Sequence, residues 1–536
     1  MYRFRAMVSY ASGLLDNGWS YAFSFSTRQG GNSYVDGVYY NAYGYFASVE
    51  KRFGGDRHNL ALTILGAPTE RGAQQASTQE AYDLLSNNYY NPNVGKQDGK
   101  LRNSRVRDYH EPIVMLNYGF DISSNTKLAA AASFRFGKNG YSALTWNGGP
   151  DPRGDYYRYL PSYAFGQVIP GETSDQTIYF DTQKALERAM AWTGMLDFDD
   201  FYSKNKYIDT ELKNIPGLEE LAGKQYRSNY ILEERHTDQI DYNFAASVQH
   251  EMRNDMRILG GVNLRANRTW YYDEIKDLMG GDYWYDIDKF AERDMSSTLA
   301  ASNDLDYYEA TGHARIAREG DKFSYNYRAH LFEGNAWALY SWRTGGFSMS
   351  VAGELGYSSM YREGLWRKGL FPNNSKGDSK TLDYLTYTAK GNFGYKFSRA
   401  HSLEANVAVM QQAPKFATAF VSPRTRNTTT PGLKAEKIFG VDLTYNLNLP
   451  YVKARVSGYY TTFEDQSKVI SFYDDTRSSF TNFAMSGIDK RHYGLELGLS
   501  VPVWNGLSVV GALSWGDYTY TSNPDFVQTV DNVDKI

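Results

Sequence analysis

Along most of this chain hydrophobic and polar residues alternate singly. From Phe439 to Leu449 the odd positions read Phe439, Val441, Leu443, Tyr445, Leu447 and Leu449, and the even ones Gly440, Asp442, Thr444, Asn446 and Asn448. A turn at Pro450 follows. The next stretch alternates Val452, Ala454, Val456, Gly458 and Tyr460 against Lys453, Arg455, Ser457, Tyr459 and Thr461. Successive side chains of a strand point to opposite faces, so this period predicts strands with one dry and one wet side. About sixteen such strands can be placed, joined by eight tight turns that alternate with seven long loops. Short connections at one end and long ones at the other predict a sheet whose ends face different compartments. That is the pattern of a transmembrane β-barrel.

The first expected strand runs from Arg3 to Ser12, and the turn Gly13–Gly18 leads to Trp19–Arg28. Tyr45–Phe53 and Asn59–Leu65 flank Gly54-Gly55-Asp56, and a long loop then reaches Glu111. Ile113–Phe120 and Lys127–Phe136 follow, the second with Leu128, Ala130, Ala132, Phe134 and Phe136 on one face. From Gly137 to Gln239 no alternation is clear. Such a length predicts a functional loop, with a short helix at Ala185–Met195. Strands resume at Ile240–Val248 and Met256–Ala266, and a second unpatterned segment reaches about Ala329. One more hairpin around Glu319-Gly320-Asp321 would raise the count to eighteen. The rest are Leu331–Trp342, Phe347–Tyr357, Leu385–Phe397, Leu403–Gln411, the two quoted above, Tyr493–Val503 and Leu507–Tyr520.

The dry faces carry no formal charge over about nine residues, enough to cross a bilayer core when a strand tilts by ~45°. The opposite faces carry Asp, Glu, Lys, Arg and Asn. No apolar run approaches the ~18 residues of a transmembrane helix. The 46 Tyr and 10 Trp suit membrane–water interfaces. On composition alone a Tyr-rich soluble sugar-binding β-protein stays equally open. The recurrent one-sided loop asymmetry, which a sandwich has no reason to keep, favours the barrel. With a formal charge of −4 there is no basic excess for nucleic acid, and the absence of Cys excludes little. The start, Met1-Tyr-Arg-Phe-Arg5, has no apolar export signal.

The segment from Leu433 to Tyr520 contains Leu433-Lys-Ala-Glu436, Ser457-Gly-Tyr-Tyr460-Thr-Thr-Phe463, Asn482-Phe483 and Tyr493-Gly-Leu-Glu496-Leu497. Upstream stand Asn88-Tyr-Tyr-Asn-Pro-Asn93-Val-Gly95, Gly99-Lys-Leu-Arg-Asn103, Asp151-Pro-Arg153, Tyr156-Tyr-Arg-Tyr-Leu-Pro161-Ser-Tyr163 and Arg227-Ser-Asn-Tyr230-Ile-Leu-Glu233. In order and spacing these resemble the TonB-dependent outer-membrane receptors, in the form typical of Bacteroidetes, over essentially the whole chain. Ala435 departs from the family's Pro. The resemblance implies a barrel of about 22 strands with a plug in its lumen. No plug domain, TonB box or terminal aromatic strand is seen here. The first strand enters a tight turn and the last leaves one, so an odd number of strands is expected to be missing at each end. The expectation is therefore an internal piece of a receptor barrel, residues 1–536, with a long extracellular loop region at 137–239.

The resemblance implies a receptor that imports a scarce, large nutrient across the outer membrane of a Gram-negative cell. The ligand would be a siderophore, cobalamin, a glycan or a peptide. Its partners would be outer-membrane lipid, the plug and TonB of the parent receptor and, by family analogy alone, a small surface lipoprotein lid. A passive porin or adhesin and a secreted soluble glycan-binding protein are the alternatives. Neither enzyme nor cofactor motifs were found: the eight His form no zinc pair, and no nucleophile elbow, phosphate loop or dinucleotide fingerprint is present. The acids of Asp197-Phe-Asp-Asp200 and Asp282-Tyr-Trp-Tyr-Asp286-Ile-Asp288 lack EF-hand spacing and read as solvated loop acids. The ligand-contact candidates are the loop residues Trp270, Tyr271, Tyr272, Asp273, Trp284 and Tyr285, since aromatic faces stack on rings and carboxylates bond hydroxyls or cations. Asp442, Lys453, Arg455 and Glu496 are expected to face the lumen.

Overall fold

The computed structural model describes residues 3–531 except 32–33, 167–174, 216, 254, 296, 475 and 478. The terminal Val533–Ile536 and the turn residue Asn254 lie outside the described residues. Sixteen long strands form one antiparallel meander. They are β1 (Phe4–Ala11), β2 (Trp19–Gly30), β3 (Tyr40–Phe53), β4 (His58–Gly66), β5 (Ile113–Ser123), β6 (Thr126–Trp146), β7 (Tyr230–Arg253) and β8 (Met256–Asp277), then β9 (Lys322–Thr344), β10 (Phe347–Gly364), β11 (Leu382–Lys396), β12 (His401–Gln412), β13 (Glu436–Asn448), β14 (Lys453–Asp474), β15 (Ser479–Trp504) and β16 (Leu507–Tyr520). Each pairs with the next in chain order. Among the described residues β1 has only β2 as a partner, and β16 only β15.

Strand β13 shows why this sequence makes such a wall. Its odd residues Phe439, Val441 and Leu443 are exposed, whereas Thr444 on the even face is buried. The same inversion recurs on other strands. Phe23, Leu62, Leu116, Val262, Leu355 and Leu497 all lie open on the outer face, Leu355 at 66% exposure. In water such a belt would expose far more apolar area than a soluble monomer carries. Facing hydrocarbon, it is the favoured arrangement. Among the described residues no helix is long and apolar enough to cross a membrane.

The conventional core sits elsewhere, in the long loops and the strand ends beside them. Phe198, Phe201, Leu196, Tyr230, Leu232 and Met279 form one cluster. Tyr283, Tyr285, Ile287, Leu212 and Leu218 form another. Buried Asn205 ties the first cluster to the wall. Its amide nitrogen donates to the carbonyls of Tyr230 (2.7 Å), Leu278 (2.9 Å) and Met279 (3.1 Å). Its side-chain oxygen accepts from the backbone N–H groups of Asn229 and Tyr230. These loops therefore fold as a cap with its own packed interior.

Several expectations change. The segments Gly137–Trp146 and Tyr230–Gln239 are strand, as are Asn267–Asp277 and Lys322–His330. Above the membrane both strand faces meet either cap or water, so the period-two contrast fades although pairing continues. The helix expected at Ala185–Met195 runs from Asp175 to Ala191. Glu319-Gly320-Asp321 adds no transmembrane hairpin. It turns the chain from a short strand, Arg315–Ala317, into β9, so the long strands stay at sixteen. The last long connection is itself a hairpin, because β14 and β15 continue pairing through Asp474↔Ser479. After β16, a short strand, Asp525–Val530, pairs with Thr481–Ser486.

Candidate functional site

Residues directly opposite each other in adjacent strands share a face. Following register from β6 to β15 therefore traces one inner surface, and that surface is polar. Asp241 on β7 sits between two guanidinium groups. Arg135 Nη2 donates to Asp241 Oδ2 at 3.0 Å, and Arg265 Nε donates to Oδ1 at 3.0 Å. Arg265 reaches on to Glu333 Oε2 at 3.3 Å. Arg135 also donates to Gln239, whose amide nitrogen donates to Glu111. Further round, Asn392 donates to Asn406 (2.6 Å) and Asn406 to Asp442 (2.9 Å). Thr444 and Ser457 share a hydroxyl bond of 2.8 Å. Lys453, Arg455 and Glu496 lie on this same face by register with Asn448, Asn446 and Ser457. A cavity of about 610 Å³ opens against the row, lined by Asn117, Asn243, Asn263, Arg265, Glu333 and Glu354. Charges paired across strands in this way keep a wet wall ordered without an apolar filling.

Above this wall the inner face becomes aromatic and acidic. Tyr271 stacks on Tyr327 (4.9 Å between centroids) and lies parallel to Phe416 (6.3 Å). Two residues on, Asp273 is buried, and its Oδ1 has no hydrogen-bond partner. Burial and the neighbouring Glu233 push its carboxyl well above the usual range, against the pull of Arg235 and Arg424. Glu233 is itself held by Arg235 at 2.5 Å. Arg424 packs over Tyr325 at 4.7 Å and Arg362 over Tyr327 at 4.9 Å. Tyr271, Tyr325, Tyr327 and Asp273 thus form a shelf flanked by Arg235, Arg362 and Arg424, in which Tyr325, Tyr327, Asp273 and Arg362 are buried while Tyr271 is half-buried and Arg424 exposed.

The six ligand candidates do not come together. Trp270 to Asp273 stand on β8 rather than on a loop, and alternation divides them. Tyr271 and Asp273 face inward. Trp270 and Tyr272 face outward, where Trp270 Nε1 donates to Asn326 and Tyr272 Oη donates to Asp238 at 2.7 Å. Trp284 and Tyr285 are buried in the cap, Trp284 edge-on to Phe323 and Tyr285 beneath Arg227. Tyr325, Tyr327, Arg235 and Arg424 were not anticipated. A signal existed for the tyrosines: Phe323, Tyr325, Tyr327 and Ala329 alternate as buried residues of β9 ahead of the expected strand start.

The acidic loop clusters serve the cap. Asp197 caps the helix Phe198–Lys204 by accepting from the N–H of Asp200. Asp199 accepts from the N–H of Asp98, and Asp288 from those of Phe290 and Ala291. Asp286 is buried and bonds Asn303 Nδ2 and the N–H of Ser324, and burial raises its carboxyl. Lys368 lies beside it, bonded to Asn303 and to the carbonyl of Ser324. Burial brings this ammonium down to about 8 despite Asp286. Among the described residues no group of three or more His, Asp or Glu is placed to hold a metal ion.

Residues 152–535 match the profile of the family described as TonB dependent receptor-like, beta-barrel. No curated protein sequence matches the chain. Several solved structures share the fold at low identity. The ferric-catecholate import receptor Fiu from E. coli K12, in its closed form, is 12% identical over 97% of this chain and 65% of its own, with a TM-score of 0.52. The siderophore receptor PiuA from Acinetobacter baumannii is 11% identical over 97% of this chain and 62% of its own, with a TM-score of 0.54. The copper transporter OprC is 12% identical over 96% and 60%, with a TM-score of 0.55. The chain thus spans less than two thirds of the length of each.

Proposed function

The chain belongs to the TonB dependent receptor-like β-barrel family, and from that premise we propose that it is the barrel wall and ligand-gathering cap of an outer-membrane importer for a scarce, large nutrient. The carrying observation is the double inversion of the molecule: apolar side chains face outward around the wall, while paired charges line the inside beneath a separately packed cap. A soluble glycan-binding protein has no use for such a belt. In this reading ligand meets Tyr271 and Arg424 at the mouth, over the buried Tyr325, Tyr327 and Asp273 that hold them in place. The inner row through Asp241, Arg265, Glu333 and Asp442, continued by Lys453, Arg455 and Glu496, faces a plug contributed by the receptor. Movement of that plug is driven through TonB. The loop motifs favour the Bacteroidetes form. The cargo class is that of the structural neighbours, a chelated metal, or a glycan, cobalamin or peptide of similar size. No covalent step is required, and the reading assigns none.

Two measurements test this. In membrane fractionation the protein should stay in the outer-membrane fraction and be released only by detergent; recovery in the soluble fraction overturns the reading. In the native cell, uptake of the cargo that supports growth through this receptor should fall equally when this gene or TonB is deleted. Uptake that survives loss of TonB would mark a passive pore.

A further inference from the structure

We propose that the cap carries an intramolecular amide cross-link between the side chains of Lys368 and Asn303, formed by the protein itself with Asp286 as the acid–base group. The three residues are buried and joined in a row. Lys368 Nζ donates to Asn303 Oδ1 at 2.9 Å, and Asn303 Nδ2 donates to Asp286 Oδ1 at 2.7 Å. The amide of Asn303 therefore has its carbonyl end against an amine and its nitrogen against a carboxyl group. The surroundings are apolar. Asp286 ends the short strand Trp284–Asp286, between Tyr285 and Ile287 of one hydrophobic cluster. Trp284, on the same strand, packs in another cluster with Phe323, the neighbour of Ser324.

A buried lysine ordinarily meets a carboxylate, because an unpaired buried charge is costly. Lys368 does not. Among the described residues it makes no ion pair, and its ammonium bonds only two carbonyl oxygens, those of Asn303 and Ser324. The nearby acids are turned to other groups. Asp304 pairs with Arg315 at 2.5 Å, and Asp288 accepts from the N–H groups of Phe290 and Ala291. Asp286 accepts from Asn303 and from the N–H of Ser324 through Oδ1, while its Oδ2 has no hydrogen-bond partner. Burial brings the Lys368 ammonium down to about 8 and raises the Asp286 carboxyl. A neutral amine and a neutral acid are the forms that attack a carbonyl and protonate a leaving group.

The backbone holds the reacting groups together. The N–H of Leu305 donates to the carbonyl of Arg367 (2.6 Å), and the N–H of Gly369 to that of Ser302 (2.9 Å). The two segments are thus clamped on both sides of Asn303 and Lys368. Gly369 permits the approach, since a side chain there would run into the carbonyl oxygens of Leu299 and Ala300. Two reactants held at contact need no bimolecular encounter. The step needs no co-reactant either. Lys368 Nζ bonds to Asn303 Cγ, the Cγ–Nδ2 bond breaks, and Nδ2 leaves as ammonia. Asp286 gives the leaving nitrogen a proton and recovers one from Nζ, so it ends as it began. The product is a neutral secondary amide. It removes the buried amine and ties the loop before β9 to the loop after β10.

Mass spectrometry of the full chain, purified in detergent and then digested with trypsin, tests this. The wild type should be lighter than its sequence by one ammonia. Trypsin should release Asp294–Arg315 joined to Lys368–Lys376, with no cleavage after Lys368. Asp286→Ala keeps both reactants and should give the full sequence mass and the two peptides apart, as should Lys368→Met. A wild type with Asp294–Arg315 free and the chain cut after Lys368 overturns the cross-link, whether or not any variant folds. An ammonia lost elsewhere, with these peptides unlinked, overturns it equally. A linked pair that persists in Asp286→Ala overturns the role given to Asp286. The readout involves neither cargo nor TonB, so the transport reading stands or falls separately.

Discussion

The wall and the cap are two regions of one chain that solve opposite problems. In the wall, Leu443 is 51% exposed while Thr444 beside it is buried. In the cap, Phe198 and Tyr283 are fully buried, and charged groups such as Asp286 and Lys368 are buried as well. Hydrogen bonding differs as well. The wall joins its polar side chains across strands in rows such as Asn392, Asn406 and Asp442, whereas the cap uses single buried groups such as Asn205 to bind loop to strand. The difference teaches that burial has no fixed sign along this sequence. Apolar residues leave water in both regions, into lipid in one and into each other in the other.

The largest effect should come from the cap. Phe198→Ala removes a fully buried ring and should cost about 3–5 kcal/mol of local stability. Hydrogen exchange should then speed up across the loop between β6 and β7 while the β11–β13 wall stays protected. Parallel loosening of both regions would break the separation drawn here. Next is Leu443→Arg, near the middle of β13, which should cost about 2–4 kcal/mol in a bilayer folding titration. An exposed leucine of a soluble protein would tolerate the change, so a cost near zero would break the membrane assignment of the wall.

A third effect is set by pH. His236 stands on β7 above the apolar belt, between Glu234 (3.2 Å) and Asp238 (3.4 Å). Burial opposes its charge, yet the two carboxylates raise it from 6.5 to about 9. A group raised on folding stabilises fully below its unfolded value, and that support is lost as pH climbs through the folded one. The thermal stability advantage of wild type over His236→Gln should thus be full below about pH 6.5 and vanish above about pH 9. An advantage that grows with pH would contradict the ion-pair geometry. The smallest effect belongs to Asp442→Asn. An amide oxygen at 442 can still accept from Asn406, so the cost in the same bilayer titration should be under about 1 kcal/mol. A larger loss would mean that the charge itself holds the inner row.

Legibility followed the same division. Strands β13, β14 and the lower halves of β7 and β8 could be read directly, since their two faces meet different solvents. The upper halves could not. Tyr230 to Glu233 are all buried, so nothing alternates, and strand passes for loop. The mouth suffered most. Its aromatics are expected in a loop but stand on β8, where alternation sends Tyr271 and Asp273 inward and Trp270 and Tyr272 outward. The partners that complete the shelf, Tyr327 and Arg424, come from other parts of the chain.

By itself the sequence determined the membrane-crossing parts of the strands, their direction, and which face of each is apolar, because these depend on a period of two and on the lengths of adjacent connections. Only the tertiary structure decided which charges pair across the wall and where the cap finds its core. Those depend on register between strands up to about a hundred residues apart, as in the Arg135–Asp241 pair. A local pattern carries no record of what stands opposite it.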